Sequence, residues 1–367
     1  MKYAFRFLMH QPFRLFITIG GTTLCVVLML FLFSIYRGVA DGSVEYIRKS
    51  NTDLWVLQRN VTNILRGTSI LSTAHGTVLE TVPQIESVSP VLFILSTIKK
   101  EDMSATAFLT GFDMKRGIGG PPCITKGRSI TADDEIVLDK SFALKYNCKL
   151  GERVVIQDDT LRIVGLSEGT NAFVIQYAFV SLHRAHTIIG YPGLVSCFLI
   201  KVKQGKSIAE TISTIREEVP GTDVYDHATF LQNNIKEMES GFLPLLYTIA
   251  AIGGVVLTII LTLLLTINII ERRKDFAAMK ILGAPHGFLP GIITWQAMLI
   301  IIVSFIIALV LFFIMVEIVE AISPEISTKT SLTQIGLTFI LATILGFLSA
   351  LFSMRRLRHI YPLEVYQ

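Results

Sequence analysis

Apolar residues gather into four intervals free of Asp, Glu, Lys and Arg: Leu15 to Tyr36, Ser240 to Ile270, Ile281 to Val316 and Thr330 to Met354. Each reaches the roughly 20 helical residues that cross about 30 Å of hydrocarbon. The pattern predicts transmembrane helices at 15–36, 243–270, 288–316 and 332–354. The connections fall at 37–242, 271–287 and 317–331, with terminal segments at 1–14 and 355–367. A cleaved leader would also show the basic start of Lys2, Arg6 and Arg14. Its apolar core, however, runs only about 7 to 15 residues and ends at a small-residue site. The first interval is longer, and Ile35-Tyr36-Arg37-Gly38-Val39-Ala40 is a poor cleavage site, so it reads as an uncleaved anchor.

The long segment 37–242 carries a different rhythm. Thr52 to Gln58, Ile85 to Ile98 and Met103 to Phe112 are rich in β-formers and read as strands, with a short helix at His75 to Thr81 and a turn at Lys99 to Asp102. A second such unit follows: strand Glu135 to Leu138, helix Ser141 to Tyr146, and a hairpin of Arg153 to Gln157 with Thr160 to Gly165 turning on Asp158 and Asp159. Strand Val195 to Val202, a helix at Ser207 to Glu218, strand Thr222 to Tyr225 and a helix from about Ala228 complete the series. Ser207 with Glu210 has capping-box spacing. Gly111 to Ser129 is rich in Gly and Pro, and Glu168 to Gly193 is apolar and aromatic without clean period; both are assigned to a mobile subdomain or loop. The expected object is a membrane α-helical protein with four transmembrane helices and a large mixed α+β extracytoplasmic domain.

Composition agrees. The 367 residues are 51% hydrophobic and 17% charged, against about 25% charge in soluble domains. The mean hydropathy is +0.57. Disorder and an ordinary cytosolic enzyme are excluded, and the net charge of +4 gives a nucleic-acid reading no help. Orientation comes from short flanks. Residues 1–14 hold three basic and no acidic residues, 271–286 four and two, and 355–367 three and one, so the positive-inside rule makes all three cytoplasmic. The connection Glu317 to Lys329 has three Glu against one Lys, and Arg37 to Glu239 is near balance with 22 basic and 23 acidic residues; both face outward.

Catalytic signatures are missing. Gly205-Lys206-Ser207 resembles the tail of a phosphate loop, but position 200 is Ile rather than Gly, and no H-E-x-x-H, G-x-S-x-G, G-x-G-x-x-G or C-x-x-C occurs. His183 and His186 lie three apart without companion ligands, so ordinary surface histidines are the simpler reading than a metal site. No ionisable group sits inside a span, which argues against a proton relay. Asn268, Gln296, Gln334 and scattered Ser and Thr are expected to bond between helices. Cys25 lies in the first span, while Cys123, Cys148 and Cys197 are outside, leaving one disulfide with a free thiol, or none. Ala250, Ala251, Gly253 and Gly254 put small residues on the second span; Ala250, Gly253 and Gly254 are the candidate dimer-packing positions. Phe173, Tyr177 and Phe179 either touch a lipid-like cargo or form a buried strand.

The most informative short segment is Glu271 to Pro285, E-R-R-K-D-F-A-A-M-K-I-L-G-A-P. On a helix, Phe276, Met279, Ile281 and Leu282 make an apolar stripe ringed by Arg272, Arg273, Lys274 and Lys280, and Gly283 before Pro285 is a stop. Such a helix lies in the headgroup layer, docks into a partner's groove, or is only a basic turn that enforces topology.

Glu271-Arg272-Arg273-Lys274-Asp275 followed by Met279-Lys280-Ile281-Leu282-Gly283-Ala284 resembles the E-R-x-x-E-x-x-x-x-[KR]-x-[LI]-G-A element after the second span of FtsX/MacB-type (type VII) ABC transporter permeases. Gln11-Pro12-Phe13-Arg14 is similar to that family's N-R-x-R-P-x-R opening, and Tyr361-Pro362-Leu363-Glu364 to its closing D-P-[VL]-E-A. Val137-Leu138 to Gly151 and Arg162 to Leu166 resemble its outer domain. Asn51-Thr52-Asp53-Leu54, Ser89-Pro90-Val91 and Gly111-Phe112-Asp113 look closest to the DevC-like subgroup. Asp275 stands where the family usually has Glu, and Tyr361 where it has Asp.

The resemblance implies a multi-pass protein of the bacterial inner membrane, with both termini cytoplasmic, working as a homodimer with two copies of a cytoplasmic ABC ATPase. The chain is then a non-catalytic subunit without a cofactor of its own; ATP and magnesium belong to the partner. Residues assigned to ATPase coupling by the resemblance are Glu271, Arg272, Arg273, Lys274, Asp275, Phe276, Met279, Lys280, Leu282 and Gly283. Arg355, Arg356, Arg358, Pro362, Leu363 and Glu364 become an ATPase-contact tail. The implied function is ATP-driven movement of the outer domain that exports or extracts a hydrophobic or peptidic substrate with a periplasmic adaptor. The alternative is an FtsX-like mechanotransmitter that regulates an outer enzyme without moving cargo.

Overall fold

The computed structural model describes residues 12–357 apart from Leu65, Asp102, Phe173, Val174, Arg272, His286, Glu325, Ser327 and Lys329. The elements begin with α1 (Pro12–Lys49), β1 (Leu54–Gln58), β2 (Leu71–Ser72), α2 (Ala74–Thr81), β3 (Ile85–Lys100), β4 (Met103–Phe112), β5 (Ile124–Gly127), β6 (Glu135–Asp139) and α3 (Lys140–Lys145). They continue with β7 (Arg153–Ile156), β8 (Asp159–Ser167), β9 (Asn171–Ala172), β10 (Ile175–Ser181), α4 (Leu182–Ile189), β11 (Leu194–Val195), β12 (Cys197–Val202), α5 (Ile208–Glu218) and β13 (Thr222–Asp226). Last come α6 (His227–Glu271), α7 (Arg273–Ile281), α8 (Phe288–Ile322) and α9 (Leu332–Leu357). They form two compact units: a membrane unit of Met1–Arg37, Pro244–Val319 and Thr328–Gln367, and an outer unit of Gly38–Leu243 with Glu320–Ser327.

In the membrane unit, four helices are long and apolar enough to cross a bilayer, at Leu15–Lys49, Tyr247–Glu271, Phe288–Ile322 and Leu332–Arg355. Three ends differ from expectation. The first helix does not stop at Tyr36 but continues to Lys49, because Val39, Val44, Tyr46 and Ile47 bury themselves in the outer unit. The third runs past Val316 to Ile322, carrying Glu317 and Glu320 on its last turns instead of in a loop, and the fourth runs to Leu357. Hydroxyls tie the helices together, as the scattered Ser and Thr promised. Ser349 Oγ donates to the Thr258 carbonyl (3.2 Å) and Ser353 Oγ to the Thr262 carbonyl (3.1 Å). Ser304 Oγ reaches the Ile19 carbonyl (3.3 Å), and Gln334 Nε2 that of Phe33 (3.1 Å). Where no water competes, such bonds contribute roughly 0.6 to 2 kcal/mol each.

The outer unit is built on one mixed sheet, ordered β13-β1-β12-β3-β4-β10-β6-β8-β5, with β7 beside β3 and β8 and β9 beside β10. β10 runs parallel to β4, and β6 parallel to β8; the other pairs are antiparallel. Successive side chains of a strand face opposite sides. Thus Leu54 and Val56 of β1 join a core with Phe198 and Ile200, while Trp55 and Leu57 join one on the other face with Tyr46, Tyr177, Phe179 and Phe230. Both faces being covered explains the main correction. Glu168 to Gly193, assigned to a mobile subdomain or loop, contains the central strand β10 and helix α4; Ile175–Ser181 is buried almost throughout, so Tyr177 and Phe179 take the buried-strand alternative. A strand covered on both sides needs no polar alternation, which removes the period by which strands are recognised. Gly111 to Ser129 likewise contributes the end of β4 and strand β5.

Other strands and helices lie close to their expected places. The hairpin after β7 turns on Gln157, with φ of 53°, and Asp158, one residue earlier than expected, since Ile156 pairs Asp159. Ser207 caps α5 by accepting from the Glu210 amide. Cys148 and Cys197 are buried in separate cores and Cys123 is exposed; all three are free thiols, so the disulfide alternative is set aside.

One buried carboxylate anchors the far side of this sheet. Glu135, at the start of β6, is 2% exposed, takes a two-pronged contact from Arg128, and accepts from Arg162 Nη2 at 3.0 Å. Arg128 first, then the Thr131 amide and Arg162, hold its carboxyl well below the usual range despite burial. A depressed folded value means that its stabilisation is complete above the unfolded pKa of about 4.3 and fades as pH falls below it. Glu135→Gln is therefore expected to destabilise the outer unit by about 1–2 kcal/mol at pH 7. The difference should shrink below about pH 4, read by thermal unfolding at both pH values.

Candidate functional site

The segment Glu271 to Pro285 forms a discrete helical element. The long helix α6 ends at Glu271, and α7 follows over Arg273–Ile281. Its inward side is fixed: Phe276 is 2% and Ala277 0% exposed, and Phe276 clusters with Leu265, Ile269, Leu289 and Ile292 of the membrane unit. Met279 is half-buried against the same cluster. Lys274 and Asp275 face solvent. The other end stands clear, with Ile281 64% and Leu282 86% exposed.

The stop is a left-handed glycine cap. Gly283 has φ of 83°, the Leu282 amide donates to the Ala278 carbonyl (3.0 Å), and the Ala284 amide reaches back to Met279 (3.0 Å). This is the Schellman arrangement, and it presents Leu282 at the tip. Open space surrounds the position of a Cβ at Gly283, so only backbone strain opposes a side chain there. Gly283→Ala should cost about 1 kcal/mol locally and speed amide exchange at Ala284, with Gly283→Asn milder.

The expected apolar stripe is thus divided. Phe276, assigned to coupling, is an internal anchor rather than a contact; Met279 is intermediate; Leu282 is the exposed member, joined by Ile281. Ala277 was not singled out, because alanine gives no signal of facing a core. Glu271 is exposed, Arg272 lies outside the described residues, and Arg273 and Lys280 lie within the helix backbone. In the tail, the Arg355 guanidinium lies 5.4 Å from the centre of the Phe352 ring, and Arg356 belongs to the last turn of α9. Arg358, Pro362, Leu363 and Glu364 lie outside the described residues, as do Gln11 and Phe173.

The dimer-packing positions need correction. Gly253 and Gly254 are buried within the chain, where Cβ atoms would lie 3.9 and 3.7 Å from Met29 Cε, and that at Gly254 also 3.4 Å from Leu345. Both face the chain's own first span, and Gly254 also its fourth, at distances that would accept a Cβ. Ala250 is half-buried and lines an apolar cleft of about 490 Å³ with Tyr247, Ala251 and Val255. His186 Nε2 contacts the Leu194 carbonyl at 2.7 Å, and no cluster of metal-ligating side chains occurs among the described residues.

Two family models match the chain: "MacB-like periplasmic core domain" over residues 15–218 and "FtsX-like permease C-terminal" over residues 247–362. Among curated relatives, an uncharacterised ABC transporter permease of Mycobacterium tuberculosis is 20% identical over 366 residues, 99% of this chain and 98% of its own length. Another, from Mycobacterium bovis, is 20% identical over 98% of this chain and 97% of its own. Among solved structures, the periplasmic region of MacB from Actinobacillus actinomycetemcomitans matches 51% of this chain and 94% of its own at 15% identity and a TM-score of 0.41. The extracellular domain of the noncanonic ABC-type transporter YknZ from Gram-positive bacteria matches 48% and 100% at 14% identity and 0.38.

Proposed function

The chain belongs to the FtsX/MacB-type ABC transporter permeases, and on that premise we propose that it couples ATP hydrolysis by a separate cytoplasmic ATPase to movement of its extracytoplasmic domain. The observation that carries this reading is the division of α7. One side, through Phe276 and Ala277, is locked into the membrane unit, while Leu282 projects from a capped end at 86% exposure. Apolar residues so exposed at the capped end, Leu282 with Ile281 beside it, are the anchor that a partner's groove accepts. A helix lying on lipid would instead turn its whole apolar side outward, away from the protein.

In this reading the chain sits in the inner membrane with both termini cytoplasmic and acts as a homodimer. ATP and magnesium are held by the ATPase, and an adaptor meets the outer domain. Force delivered at Leu282 passes through Phe276 into the spans. The cargo is hydrophobic or peptidic, and its route avoids the spans, where Ser304, Ser349 and Ser353 bond helix to helix.

Affinity purification of the tagged chain in mild detergent, with ATP hydrolysis assayed with and without it, tests this. Recovery of an ABC ATPase together with an adaptor is the expected result. An ATPase recovered with an outer hydrolase and no adaptor would replace export by mechanotransmission. Absence of any ATPase would end the coupling assignment.

A further inference from the structure

One edge of β3 has a gap in its ladder. β4 covers the other edge without a break from Val91 to Lys100. On the open edge β12 pairs only as far as Cys197 opposite Val91, and β7 begins at Ile98 opposite Ile156. Each end of the gap has a local cause. Ser196 closes the first, its amide donating to the Val91 carbonyl at 2.8 Å and its Oγ accepting from the Phe93 amide at 2.9 Å. At the second, Gln157 with φ of 53° turns the chain away after Ile156, so nothing continues β7 opposite Thr97. Backbone groups two residues apart on a strand point to the same side. The N–H and C=O of Leu95 and Thr97 therefore face the gap, where no described residue bonds them.

A cavity of about 400 Å³ lies along this edge. Leu92, Phe93, Ile94 and Leu95 all line it, together with Ser196. Successive side chains face opposite sides of a sheet, so a cavity lined by four consecutive residues stands beside the strand rather than over one face. Leu95 is 59% exposed, and Ile70, from the connection between β1 and β2, lines the same cavity at 55% exposure. That connection is held in place. Asn63 Oδ1 accepts from the Arg66 and Gly67 amides at 2.9 and 3.2 Å, and the buried Asn234 accepts from the Ile64 amide at 3.1 Å. The cation there is already matched, since Arg66 Nη1 lies 3.2 Å from Glu237 Oε1.

We propose that this slot takes a short extended segment of another protein as an added strand between β12 and β7. The backbone selects the occupant. Two N–H and two C=O groups at strand spacing are bonded by a second polypeptide backbone, whereas a hydrocarbon would cover them and leave them unpaired. The side chains select its composition: Leu92 and Ile94 offer apolar surface on one side of β3, Phe93 and Leu95 on the other, and no unmatched charge faces the slot at Arg66. An uncharged run of β-branched residues suits both. From Phe93 to Thr97 the edge is roughly 13 Å long at about 3.3 Å per residue, room for about four residues. The assignment concerns the outer unit alone and does not rest on ATPase coupling.

The test uses the full chain in nanodiscs and an end-blocked hexapeptide of four valines flanked by threonines, carrying a fluorophore and a benzophenone. A second probe is the same peptide with every amide N-methylated. The first should bind, read by fluorescence anisotropy, and cross-link to fragments containing Leu95. The second should bind at least about tenfold more weakly, although its side chains are the same. The protein is identical in both arms, so misfolding cannot produce that difference. Leu95→Pro removes a donor facing the gap and no ladder bond, and should also weaken the first peptide about tenfold. Leu95→Ala, which keeps the amide, should weaken it much less. Equal binding of the two peptides would make the slot a hydrophobic pocket and overturn strand addition, as would failure of the first to bind or cross-links that avoid Leu95. Native mass spectrometry covers the remaining occupant: a dimer of the chain dissociated by the peptide would give the slot to a second copy and overturn the proposal.

Discussion

Leu282→Asp is expected to abolish stimulation of the partner ATPase while leaving the permease as stable as the parent. Leu282 is 86% exposed at the tip of α7, so no core contact is lost, and the Schellman cap that positions it uses backbone groups alone. A carboxylate placed in the apolar pocket of a partner would be desolvated without compensation. A central anchor of this kind contributes about 2 kcal/mol or more, roughly a 30-fold change in association. Phe276→Ala is the contrasting variant. It leaves a cavity in the core that Phe276 shares with Leu265, Ile269, Leu289 and Ile292, and its expected cost of about 3–5 kcal/mol falls on the membrane unit itself. Pull-down of the ATPase and a detergent melting curve separate the two. Normal ATPase stimulation by a well-expressed Leu282→Asp protein would refute the docking assignment.

The second large effect is expected at Tyr46, which α1 carries past the first span. Its ring is 1% exposed and stacks on Tyr177 at 4.9 Å, with Phe93 and Phe179 at 6.0 Å, and its hydroxyl donates to the Gly119 carbonyl at 2.7 Å. Tyr46→Ala should destabilise the outer unit by about 3–5 kcal/mol, since the cavity lies among rigid rings that collapse poorly. Tyr46→Phe keeps the packing and leaves the Gly119 carbonyl without this donor, costing about 1–3 kcal/mol. The sequence has two tryptophans, Trp55 and Trp295, so in a Trp295→Phe background Trp55, stacked on Phe230 in the same core, reports outer-unit unfolding by fluorescence. Equal midpoints for Tyr46→Ala and the parent would show that the first helix contributes no packing energy there.

The extension of α1 past Tyr36 shows where sequence reading stopped short. Charge resumes at Arg37, which ends a membrane interval but not a helix: nothing from Gly38 to Lys49 breaks one, and Val39, Val44 and Ile47 find apolar partners only after the sheet has formed. Strand β10 was half legible: Tyr177 and Phe179 left a buried strand as one of two readings, which the structure bears out, while burial on both faces hid the period that would have placed its ends. At α7 the residues of the stripe were legible, yet a period of 3.6 says only that they share a side. It cannot say that Phe276 meets the spans while Leu282 meets solvent.

What the sequence by itself determined is the membrane architecture, because a bilayer offers no partner to unpaired backbone groups and so demands long uninterrupted apolar helices. It also determined most strands and caps of the outer unit, where local alternation, Ser207 and Gly283 act within a few residues of themselves. Only the tertiary structure decided that Gly253 and Gly254 pack inside the chain and that Leu282 faces solvent. Each of these depends on which distant segment arrives opposite a residue, and that is set by strand register and helix packing across the whole chain rather than by any local pattern.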